Sequence, residues 1–335
     1  MISLGSTPAP VPDAPVPHTV LSRAGEGPWP QYRIVGLGHL GGGHLLAGFD
    51  GRETGQDVPD PTGLVQRRSL DGGRTWGPFE SLREADRTGR HWYCDPSHLH
   101  DPASGRVFVF HTYAKDRGVW DAGAGIVLRR GPHAGRLLQP YCGWFRDGGA
   151  GEGPTDGEVV RSYGPFSDDH GVTWHRGAPV GEDMDVTMIV ELSDGRVLLN
   201  SRDHAHGGHR RIAVSADGGQ SWEDRGIDAQ FVDPGNNAQL AARFPDAPSG
   251  DPRARELLLS NAHDRFARIR GTLSISDDDG ESWSEALVFE PGPLDYSVVQ
   301  SLDDGALGIL WEVEAREIRF ARIEADQLRP ACVPA

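Results

Sequence analysis

Three histidines in one short segment are the side chains whose types most directly suggest a metal site. His204, His206 and His209 lie in the segment DHAHGGH, and imidazole nitrogens are common ligands of transition metals. Their i, i+2, i+5 spacing matches no established ligand pattern, so exposed histidines are the favoured interpretation. The acidic run Asp277–Asp279 could bind calcium, but it falls within a repeated turn motif. The sequence therefore predicts neither a metal nor another cofactor.

The three cysteines do not have the pattern of a disulfide framework or a zinc site. Cys94, Cys142 and Cys332 are odd in number and have no paired spacing, so we interpret them as thiols outside any disulfide or zinc site. With 33 basic and 49 acidic residues, the net charge of −16 argues against nucleic acid or anionic membranes as partners. The first 20 residues lack the basic and apolar regions of a signal peptide, and we expect a cytoplasmic location.

An eight-residue pattern, Ser-x-Asp-x-Gly-x-Ser/Thr-Trp, occurs four times and organises the chain. Ser and Asp side chains can accept hydrogen bonds from the backbone of their own turn, and Gly accepts the positive φ that the turn needs. The Trp can then pack between strands. The pattern predicts β-hairpin turns, and its copies are Ser69–Trp76, Ser167–Trp174, Ser215–Trp222 and Ser276–Trp283.

This pattern is the Asp-box, as seen in the bacterial neuraminidase repeat, and it resembles the turns of sialidase-type β-propellers with four-stranded blades. Consecutive boxes begin 98, 48 and 61 residues apart. Because the first interval is about twice the second, we expect an all-β, six-bladed propeller with one blade abbreviated near residues 115–130. Residues 1–28 are predicted to be a Pro-rich flexible leader and residues 29–330 a single propeller domain. The Gly-rich residues 143–160 are predicted to form a long loop.

Beyond the boxes, the chain resembles bacterial exo-sialidases from Tyr32 to about Ile323. Tyr32-Arg33-Ile34-Val35 is similar to the family's Tyr/Phe-Arg-Ile-Pro motif, with Val in place of Pro. The stretch from Phe49 to Asp57 is similar to the one that ends in the catalytic acid. Further similar segments are Leu198–Arg202, His263–Gly271, Leu294–Ser297 and Trp311–Glu312.

The resemblance implies a role for each of these positions. Asp57 would be the acid, Tyr296 the nucleophile and Glu312 the support of the first arginine. Arg52 would either contact substrate or pair with a loop carboxylate, and Asp95 would either line the sugar site or cap a turn. The substrate carboxylate would be bound by Arg33, Arg202 and Arg268.

The implied chemistry is consistent with these residue types. A sialic acid carries a carboxylate on its anomeric carbon, and three guanidinium groups can bind it through charge-assisted hydrogen bonds. The same carboxylate would repel an anionic Asp or Glu nucleophile, which accounts for a tyrosine nucleophile. Asp57 would protonate the leaving oxygen and then activate water, giving net retention.

One position departs from the family pattern. The family has a Glu that takes the proton of the tyrosine, and the corresponding position here is Val186. Strand alternation would turn the neighbouring Asp185 to the other face, and Glu182 would reach inward only if the strand bends. An alignment shifted by one residue would instead make Asp185 the partner of the tyrosine.

The resemblance implies an exo-glycosidase that releases a terminal sialic acid from a glycoconjugate, with no cofactor. Related acid sugars such as Kdn or Kdo are also candidate substrates, because three arginines that bind a carboxylate do not distinguish them from sialic acid. Val186 favours a catalytically weak or inactive acid-sugar-binding propeller as the alternative. A purely structural Asp-box protein is a third hypothesis, and the arginine set argues against it.

Overall fold

A computed structural model describes residues 11–57, 60–85, 91–115, 123–146, 149–150 and 159–328. The described chain is all-β, and its 3₁₀ turns are Gly131–His133, Pro252–Arg255 and Ala325–Gln327. No helix in these ranges is long and apolar enough to cross a membrane. The first twelve strands are β1 Thr19–Arg23, β2 Gln31–His39, β3 Leu45–Arg52, β4 Thr62–Ser69, β5 Glu80–Arg83, β6 His91–Asp101, β7 Arg106–Lys115, β8 Ile126–Val127, β9 Leu137–Leu138, β10 Tyr141–Arg146, β11 Gly149–Ala150 and β12 Val159–Tyr163. The remaining strands are β13 Pro165–Ser167, β14 His175–Arg176, β15 Met184–Glu191, β16 Val197–Asp203, β17 His209–Ser215, β18 Glu223–Val232, β19 Gln239–Ala242, β20 Leu257–Ala262, β21 Ile269–Ser276, β22 Ser284–Pro293, β23 Ser297–Ser301, β24 Leu307–Val313 and β25 Glu317–Ile323.

The strands form a β-propeller with five four-stranded blades, so the expected number of six is wrong. Within the described ranges the blades are β2–β5, β8–β9–β13–β14, β15–β18, β19–β22, and β23–β25 joined by β1. The long first interval between boxes does not contain two full blades. Besides β8, β9 and β13 of one blade, it contains the two-stranded ribbon β6–β7 and the three-stranded sheet β10–β12. Residues 116–122 of the predicted abbreviated blade lie outside the described residues.

Two predicted boundaries also differ. The predicted leader of residues 1–28 is too long, because Thr19–Arg23 pairs with β25 as the fourth strand of the last blade. The predicted loop of residues 143–160 begins within a strand, since β10 pairs with β12 from Tyr141 to Phe145. Residues 147–148 and 151–158 of that loop lie outside the described residues.

The Asp-box turns have the structure that the sequence predicted. In all four, the Ser Oγ accepts a hydrogen bond of 2.8 Å from the backbone N–H of the box Gly. The Asp Oδ1 accepts from the backbone N–H of the box Ser or Thr at 2.8–2.9 Å. The box glycines have φ between 79° and 89°. Each box joins the third and fourth strands of its blade, and the blade completed by β1 has no such turn because its fourth strand comes from the other end of the chain.

The box tryptophans help to join neighbouring blades. Trp76 packs edge-on against Phe320 of β25 at 5.0 Å between ring centroids. Trp283 does the same against Phe231 of β18 at 5.5 Å. The four apolar core clusters also lie between adjacent blades, as in the cluster that joins Leu37 of β2 to Leu310 of β24. Blade-to-blade packing therefore fixes the inner strands, which carry the candidate site.

Candidate active site

The candidate residues converge at one mouth of the propeller. The strands β2, β15, β19 and β23 are neighbours around the central axis. Arg33 lies near the start of β2, and Tyr296 immediately precedes β23. Because β3 and β16 run antiparallel to their inner neighbours, Arg52 and Arg202 near their ends reach the same mouth.

Tyr296 lies at the centre of three guanidinium groups. The Cζ atoms of Arg33 and Arg268 each lie 5.7 Å from the centroid of its ring. Nη1 of Arg202 donates to the Tyr296 hydroxyl oxygen at 3.4 Å. The ring is 9% exposed, so these contacts form at the bottom of the mouth. The structure thus brings together the three arginines and the tyrosine that the sequence selected.

Glu312 anchors Arg33 from below. Its carboxylate is fully buried at the end of β24, and its Oε2 accepts from Arg33 Nε at 3.2 Å and from the Ile34 N–H at 3.4 Å. Burial raises the pKa of Glu312, and the charge of Arg33 opposes that effect. The register of β2 shifts between Arg33 and Val35, and Ile34 has a φ of 54°. This bulge turns the arginine side chain and the Ile34 N–H toward the same carboxylate.

Asp57 lies at the rim, held by Arg52. Arg52 Nη1 donates to Asp57 Oδ1 at 2.6 Å, and Arg33 Nη1 lies 3.6 Å from the same oxygen. The Asp57 side chain is 76% exposed, so it is open to a ligand. Partial burial raises the pKa of Asp57, but the contacts with Arg52 and the charges of Arg33 and Arg268 outweigh it and lower the pKa.

Asp50 is a site residue that the sequence analysis missed. Its Oδ2 accepts from Arg52 Nε at 3.2 Å and Nη2 at 2.8 Å, so Arg52 pairs with two carboxylates at once. Its Oδ1 accepts from the Asp95 N–H at 2.9 Å, where β6 bulges and Asp95 has a φ of 59°. Burial raises the pKa of both Asp50 and Asp95, and their mutual repulsion adds to it for Asp95. The signal in the sequence was the i, i+2 spacing of Asp50 and Arg52, which places both on one face of a strand.

Asp185 faces the site, contrary to the expectation from strand alternation. The register of β15 shifts between Asp185 and Thr187, and Val186 has a φ of 43°. Asp185 therefore holds Arg202 through two bonds of 2.6 Å. Its Oδ2 also contacts His204 Nδ1 at 2.7 Å. The expectation failed because a bulge resets the alternation of side chains.

Neither Glu182 nor Val186 provides the carboxylate that the family has beside the tyrosine. Glu182 is exposed and pairs with Arg161 at 3.1 Å. Val186 is buried, and its side chain cannot accept a proton. A positive φ is rare for a β-branched residue, so the backbone at Val186 is strained.

The histidine segment borders the site without forming a metal cluster. Within the described ranges, no group of three His, Cys, Asp or Glu side chains could hold a metal ion. His204 and His206 are exposed, as the sequence suggested. His204 nevertheless contacts Asp185, and the hydrogen bond that its Nδ1 donates to that carboxylate raises the pKa of His204. His206 packs closely over Gly235, whose carbonyl accepts from Arg268 Nη2 at 3.1 Å.

The chain is similar in sequence to known proteins. Residues 133–309 match the family described as a BNR repeat-like domain. A sialidase from Micromonospora viridifaciens is 39% identical over 91% of the chain, and a sialidase from Bacteroides fragilis (strain YCH46) is 24% identical over 91%. The chain spans 53% and 64% of the lengths of these relatives.

Solved structures show the same fold. The Hadza microbial sialidase Hz136 superposes with a TM-score of 0.77 at 22% identity, covering 93% of this chain and 69% of that one. An intramolecular trans-sialidase from Ruminococcus gnavus superposes with a TM-score of 0.72 at 17% identity, covering 96% and 100%. The Asp-boxes, the propeller and the similarity in sequence lead to one conclusion: the chain belongs to the bacterial sialidase family with BNR repeat-like domains.

Proposed function

We propose that the protein is an exo-glycosidase that hydrolyses the terminal α-ketosidic bond of a nonulosonic acid, with sialic acid as the leading substrate. The observation that carries the proposal is the convergence of Arg33, Arg202 and Arg268 on Tyr296. An anomeric carboxylate held by these guanidinium groups would present the neighbouring carbon to the tyrosine oxygen. The similarity to sialidases supports the same substrate class.

The clamp is organised before the substrate arrives. Arg33 is held by Glu312 and Arg202 by Asp185, while Arg268 donates to the Gly235 carbonyl. Side chains that are already ordered lose less conformational entropy on binding, so more of the interaction energy remains for the substrate.

Asp57 is positioned to act as the acid and then the base. In the empty site the arginines lower its pKa and favour its ionised form. A bound carboxylate would offset those positive charges and raise the pKa of Asp57 again, so that it can carry a proton. Tyr296 would then attack the anomeric carbon while Asp57 protonates the leaving oxygen. In the second step, the Asp57 carboxylate would take a proton from water, which attacks the anomeric carbon and releases Tyr296 with net retention.

The proton of Tyr296 is the point at which this chain departs from the family. Valine at position 186 cannot receive it, and both oxygens of Asp185 already accept hydrogen bonds. Arg202 Nη1 donates to the Tyr296 hydroxyl oxygen, and a guanidinium has no acceptor, so it cannot receive the proton either. We therefore propose a hydrolase that is slow near neutral pH and that a carboxylate at position 186 would accelerate.

The same observation supports the alternative that the protein binds acid sugars and turns them over weakly or not at all. Kdn and Kdo also remain candidate ligands, because they carry the same anomeric carboxylate. The clamp recognises the feature that these sugars share, and it does not separate them.

The test is the hydrolysis of fluorogenic α-ketosides of Neu5Ac, Kdn and Kdo. We expect release by wild type, loss by at least about 100-fold in Tyr296→Phe and Asp57→Asn, and a gain in Val186→Glu. Asp246→Asn is the matched control for Asp57→Asn, because Asp246 is exposed and also pairs with an arginine, Arg129. Release that survives Tyr296→Phe would refute the proposed nucleophile. Binding without release, with activity only in Val186→Glu, would establish the acid-sugar-binding alternative.

A further inference from the structure

Arg210 is a fully buried arginine beneath the site that the mechanism above does not use. It lies on β17 and is 0% exposed. Its Nε donates to Asn200 Oδ1, and its Nη1 donates to Asp233 Oδ2 at 3.0 Å and to the Asn236 carbonyl at 2.7 Å. Its Nη2 donates to the Val186 carbonyl at 3.4 Å and contacts Met188 Sδ at 3.7 Å. These contacts account for all five N–H groups of the guanidinium.

Asp233 and Asn236 continue the network into a tight turn. Asp233 Oδ1 accepts from the N–H groups of Gly235 and Asn236 at 2.9 and 2.6 Å, and its other oxygen binds Arg210. The Asn236 Nδ2 donates to the carbonyls of Leu294 and Asp295. Asp233 and Asn236 are also fully buried.

Three branches of this network end at backbone that holds a site residue. The Val186 carbonyl belongs to the bulge that turns Asp185 toward Arg202. The turn at Gly235 presents the carbonyl that binds Arg268. The segment Leu294–Asp295 leads directly into Tyr296.

We propose that Arg210, Asp233 and Asn236, together called the Arg210 unit, are positioning residues that set Arg202, Arg268 and Tyr296 relative to one another. The unit joins β15 to the connection between β18 and β19 and to the connection between β22 and β23, so it fixes these three segments relative to one another. The expected fall in kcat when the unit is disrupted rests on the proposed function. The expected displacement of Tyr296 does not.

A purely structural role would not require this chemistry. Burying an ion pair is costly, and apolar residues of similar volume often support a fold as well or better. What they lack is direction, since hydrogen bonds fix both the distance and the angle between the segments that they join. The Arg210 unit therefore contributes more to geometry than to stability.

The first test compares two buried asparagines. In Asn236→Ala we expect the Tyr296 hydroxyl to move from Arg202 Nη1 by about 1 Å or more in a crystal structure. We also expect kcat to fall about 10- to 100-fold, because misplacements of this size have such effects. The matched control is Asn261→Ala, since Asn261 is 0% exposed and its Nδ2 also donates to two backbone carbonyls, those of Val232 and Ala262. The control should lose a similar amount of thermal stability and keep kcat within about twofold.

A second variant protects the test against misfolding. Arg210→Met alone would leave Asp233 as an unpaired buried charge, so the variant is the double substitution Arg210→Met/Asp233→Asn, which removes both charges and keeps an acceptor for the turn. We expect it to fold and to show the same displacement of Tyr296. The proposal is overturned if Tyr296 and Arg268 keep their positions in both variants. An inactive wild-type protein would contradict the proposed function and leave no kinetic comparison to make. The crystal structures of the variants would still test the role of the Arg210 unit.

Discussion

His98 should make the folded state sensitive to mild acid. It lies on β6 with 4% of its surface exposed, and among the described residues neither ring nitrogen has a hydrogen-bond partner. The ring packs where Gly38 and Gly48 leave room, because a Cβ at either glycine would lie 2.7 Å from its atoms. Burial lowers the pKa of His98 to about 4.

The size of this loss of stability follows from the pKa values of His98 in the folded and unfolded states. An unfolded histidine has a pKa of about 6.5, so the unfolded chain binds this proton first as the pH falls. The free energy of unfolding therefore decreases from about pH 6.5 to about pH 4. At about 1.4 kcal/mol per pKa unit, the total loss from this one group is roughly 3 kcal/mol.

The assay is urea unfolding at pH 7.5, 6.0 and 5.0 for wild type and His98→Phe. The other titrating groups are the same in both proteins, so the difference between the free energies of unfolding of wild type and His98→Phe isolates the effect of His98. Relative to its value at pH 7.5, the difference should favour His98→Phe by roughly 2 kcal/mol at pH 5.0. The control His44→Phe, at an exposed position, should show no such change. A difference between wild type and His98→Phe that stays constant with pH would refute the reasoning.

Three further predictions concern the site and the boxes. Glu312→Gln should raise KM at least about tenfold with a smaller change in kcat, because Arg33 loses its buried anion; steady-state kinetics measure this. Asp50→Asn removes the carboxylate that shares Arg52 with Asp57, so Arg52 should lower the pKa of Asp57 further and the alkaline limb of the kcat–pH profile should move to lower pH. Asp217→Ala removes the hydrogen bonds that the Asp217 carboxylate accepts in one box and should cost about 2 kcal/mol in urea unfolding without changing kcat; a stability within about 0.5 kcal/mol of wild type would contradict it.

The sequence was most informative where structure is local. The Asp-box turns were predictable because each uses only its own side chains and backbone. The number of blades was not, because the interval between the first two boxes contains a ribbon and a three-stranded sheet besides the strands of one full blade. Strand pairing across such an interval depends on distant segments that spacing does not reveal.

The site residues and one support, Glu312, were predictable from the sequence, whereas the other supports were not. The arginines and Tyr296 were found through short similar segments, and the structure brings them together. The predicted orientation of Asp185 was wrong because a bulge at Val186 resets the alternation of side chains. Nothing in the residue types indicated this bulge. The role of Arg210 depends on contacts with distant strands and connections, which a linear pattern does not carry.

The most direct test of the central claim is to trap the covalent intermediate on Tyr296. A 3-fluoro sialosyl fluoride slows both chemical steps, because fluorine destabilises positive charge at the anomeric carbon, while its good leaving group preserves formation of the intermediate. Intact-mass and peptide mass spectrometry should find one added glycosyl group, located on Tyr296, in wild type and more rapidly in Val186→Glu, and none in Tyr296→Phe. An adduct on another residue, or hydrolysis of a sialoside by Tyr296→Phe at the wild-type rate, would contradict the account.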